Sequence, residues 1–367
     1  MTQLIGARIK ALREERGLSQ EELARQFGFK DRQTLSAIET GERRVSAEEL
    51  LRAVQLLGSP VDYFTDPFIL AGEGCFSWRQ TNVGPQRLSA YERNAGRWIA
   101  AFRAIAPQVG RETPLFRRSL GLTKNQRYED AATAGERFAA EFKLGDVPAK
   151  SLAGVMERQL GTLVLMVDAF DGISGAACRL PEIDVVIINR HEIVGRRHFD
   201  LAHELFHILT WDAMPPDRTE DAVETSKDRV EQLANNFASA VLMPTTVLDG
   251  FGDWAKFSGK DLVSRLNKTA DQLAVTASAL KWRLVGVGRL SATTAREIKD
   301  SALRNNGRDG KETHPPPLFS KSFIEVIALG LQEGHVSARR VAALLDMPLD
   351  ELPALFRSHG VEAPDDL

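Results

Sequence analysis

The sequence predicts a mostly α chain with a small β-sheet: an N-terminal bundle of short helices, a larger α+β domain and a helical C-terminal tail. Three observations predict this. In the first sixty-odd residues, apolar stripes at helical spacing alternate with caps and glycines. Between residues 161 and 188, three apolar runs of strand length precede a longer helical stretch. After a polar, breaker-rich stretch at 304–317, helical spacing returns.

Composition sets the frame. At 367 residues the chain is long enough for about two to three domains. Hydrophobic content of 43% and charged content of 26% are those of a soluble globular protein. A net charge of -3 argues against wholesale nucleic-acid binding by a basic surface. The two cysteines, Cys75 and Cys178, imply no disulfide framework and fit a reducing compartment. There is no apolar signal core at the start and no apolar run of membrane-spanning length, so a cytoplasmic protein with no membrane partner is expected.

The first module is expected over residues 1–66. Ile5, Ile9 and Leu12 make a helical stripe ended by Gly17. Ser19 and Glu22 form a capping box for a second helix that stops near Gly28. A third helix begins around Asp31 and ends at Gly41, and Ser46 caps a fourth through Leu50, Leu51, Val54 and Leu57. Two short helices joined by a tight turn inside a bundle read as a helix-turn-helix.

The segments Leu12 to Ala24 and Ile38 to Arg43 resemble the XRE family of phage-repressor-type DNA-binding domains, over roughly residues 4–64. That resemblance implies a phosphate contact at Gln20 and base readout from the helix after the turn. Lys30, Arg32, Gln33, Thr34 and Ser36 are the candidates, since Arg and Gln can meet guanine and adenine edges in the major groove. Acidic residues balance the basic ones here, so phosphate neutralisation by a single copy is weak. A homodimer would double the contacts. The plain alternative is a helical module for protein contacts.

Residues 67–124 are expected as a linker with docking helices. Pro67, Gly72, Gly74, Gly84 and Pro85 punctuate its start, and Leu88 to Ile105 carry a helical stripe. Two further helices are expected within 131–160, with Gly145 and Pro148 between them. The strand candidates are 161–167, 173–178 and 183–188.

The α+β domain, expected over residues 125–300, carries His203-Glu204-Leu-Phe-His207 on a helical stretch. Residues four apart share a helix face, so the two imidazoles can grip one metal ion. Glu204 points to the neighbouring side, where it can take a proton from a metal-activated water. The spacing H-E-x-x-H therefore reads as a zinc peptidase, with Zn2+ as cofactor. Phe199, Ala202, Phe206 and Leu209 would bury the opposite side of the helix. A core helix with two satisfied histidines is the plain alternative. A catalytic zinc needs a third protein ligand. Glu231 is the best candidate, on a second helix that halts at Pro244, although a solvated helix charge is its plain alternative. Asn235 shares its face and could fix the tautomer of a ligand histidine.

Together, Arg197 to His207 and Glu231 to Pro244 resemble the ImmA/IrrE metallopeptidases, a gluzincin-like pattern. Gly172 to Ala176 and Asp184 to Asn189 add to the likeness, which covers roughly residues 125–295. The resemblance implies His203, His207 and Glu231 as ligands and Glu204 as base. It also implies a narrow activity, the cutting of one bond in a partner transcriptional repressor, often after DNA damage or phage challenge. Single-stranded DNA is a candidate activator. Phe206 departs from the pattern, since many members have glycine there. In such peptidases an edge strand beside the metal holds the substrate backbone by strand addition. No residue stands out for stabilising the oxyanion.

Cys75, in Ala71-Gly72-Glu-Gly74-Cys75-Phe76, is a candidate inhibitory metal ligand. A thiolate binds zinc better than water does, and the glycines would permit close approach. A small buried hydrophobe is its plain alternative. The stretch 301–318 is expected to be a mobile linker, and 319–367 a C-terminal helical region that docks on the peptidase or dimerises. The competing function class is a non-enzymatic XRE-type regulator or antitoxin whose zinc is structural or sensory. Structural zinc prefers four thiolate or imidazole ligands, and only three clear ligands are present.

Overall fold

A computed structural model describes residues 2–112, 114–221, 228–304 and 314–364. They form two compact units. One comprises Met1–Cys75, Gly84–Glu112 and Ile324–Leu367; the other comprises Phe76–Val83 and Thr113–Phe323. Of the stretch 301–318 expected to be mobile, residues 305–313 lie outside the described residues.

The first unit opens with α1 (Thr2–Glu15), α2 (Gln20–Phe27), α3 (Arg32–Glu39), α4 (Ala47–Leu57) and α5 (Val61–Thr65). The predicted punctuation sets these boundaries. Ser19 Oγ accepts from Glu22 N at 3.2 Å while Glu22 accepts from Ser19 N at 2.8 Å. Gly28 then ends α2 at φ 76°, a left-handed conformation that glycine adopts without strain. Asp31 caps α3, and Ser46 with Glu49 caps α4. The core gathers Ile9, Leu23, Leu35, Ile38, Leu57 and Phe64, all at most 1% exposed. Arg13 forks onto Glu39 inside this bundle, Nε to Oε1 at 2.7 Å and Nη2 to Oε2 at 3.1 Å.

The chain continues through β1 (Cys75–Gln80) and α6 (Pro85–Ile105). Residues 75–80, expected as linker, are thus a strand. Phe76 and Trp78 supply its β-preference, and Trp78 is fully buried; the flanking glycines end the strand rather than dissolve it. The second unit then runs α7 (Tyr128–Glu141), α8 (Pro148–Val155), β2 (Thr162–Val167), β3 (Ile173–Arg179), β4 (Asp184–Asn189), α9 (Val194–Thr210), β5 (Thr219–Asp221) and α10 (Arg229–Leu242). After it come α11 (Thr245–Asp249), α12 (Gly259–Leu273), α13 (Ala277–Gly286) and α14 (Ala292–Glu297). The tail holds α15 (Lys321–Gln332), α16 (Ala338–Leu345) and α17 (Leu352–Ser358). From Ile324 onward the tail belongs to the first unit. There Arg340 pairs with Asp66 and lies 5.5 Å above the Phe68 ring.

The mixed sheet has the order β2-β4-β3-β1-β5. β2 and β4 are parallel, with Leu165 opposite Ile187, and β3 and β4 antiparallel, with Ala177 opposite Val186. β1 and β5 are parallel, with Trp78 opposite Thr219. Strands β3 and β4 are buried nearly throughout, which accounts for their almost unbroken apolar runs. Helix α9 packs on β3 and β4 on one side and on α10 on the other, and α10 packs on α7. Gly135 of α7 makes that last contact close, since a Cβ there would sit 2.6 Å from Phe237 O. Among the described residues no helix is long and apolar enough to cross a membrane.

Candidate metal centre

Burial of α9 follows from its sequence. Ala202, Leu205, Phe206 and Leu209 enter the core, so the helix is enclosed and its polar residues go inside with it. His203, Glu204 and His207 are each 0% exposed. On α10, Asp228 caps the N-terminus by accepting from Val230 N at 2.7 Å, and so fixes the first turn where Glu231 lies. Val230, Leu233, Ala234 and Phe237 turn the same helix into the core and carry Glu231, 5% exposed, inward.

Four predicted residues meet here. Nε2 of His203 lies 3.2 Å from Glu231 Oε2, Nε2 of His207 lies 3.3 Å from Glu231 Oε1, and the two Nε2 atoms are 3.1 Å apart. Asn235 Oδ1 sits 2.9 Å from His203 Nδ1 and accepts its proton, which leaves the Nε2 lone pair facing the centre. Burial, with the Arg79 charge adding to it, lowers His203 to about 4, so the imidazole is neutral and able to ligate. Burial also works to raise Glu231, but the two imidazoles outweigh it and hold the carboxyl well below its usual range. Burial pushes Glu204 well above the ordinary carboxylate value. Both its oxygens are buried without a hydrogen-bond partner among the described residues.

These facts test whether the residues fit a metal. The donors of His203, His207 and Glu231 all lie within 4.8 Å of one another, and they are two imidazoles and a carboxylate. An unsatisfied carboxylate stands next to them. The donor set fits a divalent transition metal.

The structure does not bring every predicted residue to this centre. Cys75 is exposed at the start of β1, and the described donor cluster contains no sulfur. The β1 residue that reaches the cluster is Arg79, two alternations further along the same strand face. Its Nη1 lies 3.8 Å from Glu231 Oε2 and its Nε 3.3 Å from Asp200 Oδ1. Arg79, Ser77 and Asp200 escaped sequence reasoning. The alternation of Ser77, Trp78 and Arg79 was a signal for the strand, and Asp200 stands one turn before His203 and Glu204 on α9. Strand β3 passes Glu204, where Gly175 lies close enough that a Cβ would be 3.8 Å from Glu204 Cγ. It is not the free edge that strand addition needs, because β1 takes the place beside it.

In the first unit, α3 is the helix after the turn. Lys30, Arg32 and Gln33 are exposed, and Thr34 and Ser36 are half-buried. Thr34 N donates to Asp31 Oδ1 at 3.0 Å as part of the cap. Gln20 Nε2 donates to Glu39 Oε2 at 2.8 Å, which ties the start of α2 to the end of α3.

Comparison with known proteins agrees with this geometry. A helix-turn-helix family matches residues 9–64, and the IrrE N-terminal-like domain family matches residues 159–255. No curated protein matches the chain significantly. Among solved structures, Bacillus thuringiensis PlcR in complex with the peptide PapR7 and DNA is 11% identical, covering 98% of this chain and 93% of that one at a TM-score of 0.17. The apo form of the competence regulator ComR from Streptococcus vestibularis is 13% identical, covering 95% and 99%, also at a TM-score of 0.17. Superpositions that weak carry nothing about fold or function. The chain thus carries a helix-turn-helix domain at its N-terminus and, further along, an IrrE N-terminal-like domain that holds the buried His203, His207 and Glu231 triad.

Proposed function

We propose that the chain is a zinc-dependent endopeptidase that cleaves a partner transcriptional repressor, with an N-terminal module that binds DNA. The convergence of His203, His207 and Glu231 beside an unpartnered Glu204 carries this reading. A zinc ion held by the three would polarise the scissile carbonyl and acidify the attacking water. Asn235 keeps His203 in the tautomer that presents Nε2. Glu204 takes a proton from the water as it attacks and hands it to the leaving amine. The raised affinity of Glu204 for a proton suits that shuttle.

The likeness to ImmA/IrrE proteins supports a repressor as substrate, within a stress, DNA-damage or phage-response switch. Exposed Lys30, Arg32 and Gln33 on and before α3 support DNA contact by the first module. One observation favours a second reading, a regulator with a sensory or structural metal: Glu204 is fully enclosed in this state.

The two readings separate in one experiment. Zinc-loaded protein and its Glu204→Gln variant are incubated with the repressors encoded beside it, with and without single-stranded DNA. The peptidase reading expects fragments from the parent and none from a variant that still holds zinc. Equal cutting by both would show that the proposed base is wrong, and zinc-loaded parent that cuts none of them favours the sensory reading.

A further inference from the structure

We infer that Arg79 is a positioning residue for the metal centre: it holds the Glu231 carboxylate toward the imidazoles from one side, as Asn235 holds His203 from the other. The inference rests on the metal-site reading above. Arg79 is 2% exposed, and its guanidinium lies between two buried carboxylates carried by different helices, Asp200 on α9 and Glu231 on α10. Neither Nε nor Nη1 has a hydrogen-bond partner among the described residues. A buried guanidinium with unspent donors is costly, so a fold keeps one where it offsets other buried charge.

Glu231 supplies that charge in a specific arrangement. Its two oxygens face the two imidazoles, Oε2 toward His203 and Oε1 toward His207. A carboxylate that ligates through one oxygen leaves the other for an outer donor, and the planar fork of arginine suits that geometry. Nη1, 3.8 Å from Oε2, needs only a small movement to make the bond. Asp200 restrains the guanidinium from behind, with Arg196 Nε 3.6 Å from its other oxygen. Arg79 also precedes residues 159–255, so the centre draws this support from outside the matched domain.

The test separates positioning from simple charge balance. Arg79→Met takes from buried Asp200 the nearer of its two cations, so it is paired with Asp200→Asn in a double variant. Each protein is read by urea unfolding of the metal-free form, by zinc affinity in competition with a chromophoric chelator, and by the visible absorption of the cobalt-substituted form. The double variant, which relieves Asp200 but leaves Glu231 without Arg79, should unfold at lower urea than the parent yet stay folded in buffer, and bind zinc about 10- to 100-fold more weakly, with altered cobalt bands. Asp200→Asn alone should change affinity little. Arg79→Lys, which keeps the charge without the fork, should unfold like the parent and fall between the two in affinity; it decides the matter if the double variant does not fold. Parental zinc affinity in the double variant or, where that does not fold, in Arg79→Lys overturns the inference alone. A parent that binds no zinc overturns the metal-site reading and this inference with it.

Discussion

Asn235 accepts the Nδ1 proton of His203 at 2.9 Å, so the helix that carries the third candidate ligand also sets the tautomer of the first. Ligand and orienting group arrive together on α10, four residues apart. That relationship makes α10 as important to the centre as the H-E-x-x-H helix.

Asn235→Ala removes the acceptor while leaving all three donors in place. Zinc affinity should fall by about 10- to 100-fold with the fold retained. Chelator competition on the purified variant checks this, and unchanged affinity would mean that the hydrogen bond does not select the tautomer.

Asp228→Ala removes the cap of α10, which accepts from Val230 N. Urea unfolding should show a loss of about 1 kcal/mol. Because Glu231 lies in the first turn after this cap, metal affinity should fall as well. A stability loss with full metal affinity would show that the first turn holds without its cap.

The buried pair Arg13–Glu39 gives an asymmetric prediction for the first unit. Arg13→Met strands the Glu39 carboxylate, and about 3–5 kcal/mol should be lost. Arg13→Met combined with Glu39→Leu leaves no stranded charge and should recover most of it, apart from the bond to Gln20. Equilibrium unfolding of both variants checks the pattern.

Glu157 makes stability pH-dependent in a defined direction. Burial raises its carboxyl above the ordinary 4.5, against opposing hydrogen bonds from Ser320, Ser322 and the Val164 amide. The folded state therefore binds this proton more tightly than the unfolded state. The favourable contribution is complete below the unfolded value and is lost as pH rises through the folded one. Glu157→Gln should therefore gain on the parent as pH goes from about 4 to 7. A stability difference that stays flat across that range would contradict the assignment.

The sequence was most informative where the chemistry is local. His203, Glu204 and His207 share one helix, so their spacing alone pairs them; Glu231 followed from the need for a third ligand together with the apolar spacing of α10, and Asn235 from sharing its face. The capping boxes at Ser19 and Ser46 fixed α2 and α4 for the same reason. Arg79 was beyond that reach. Its role depends on a non-local pairing that inserts β1 beside β3, and a six-residue strand between glycines reads as a linker until its partners are seen. Cys75, attractive in isolation as a thiol near a metal domain, is exposed at the start of the same strand, whereas Arg79 is buried.

The most direct test is the metal content of freshly purified protein, measured by elemental analysis beside His203→Ala, His207→Ala and Glu231→Ala. One zinc per chain in the parent and a marked loss in each variant is the expected result. A parent without transition metal, or variants that keep their full complement, would contradict a shared ion held by these three side chains.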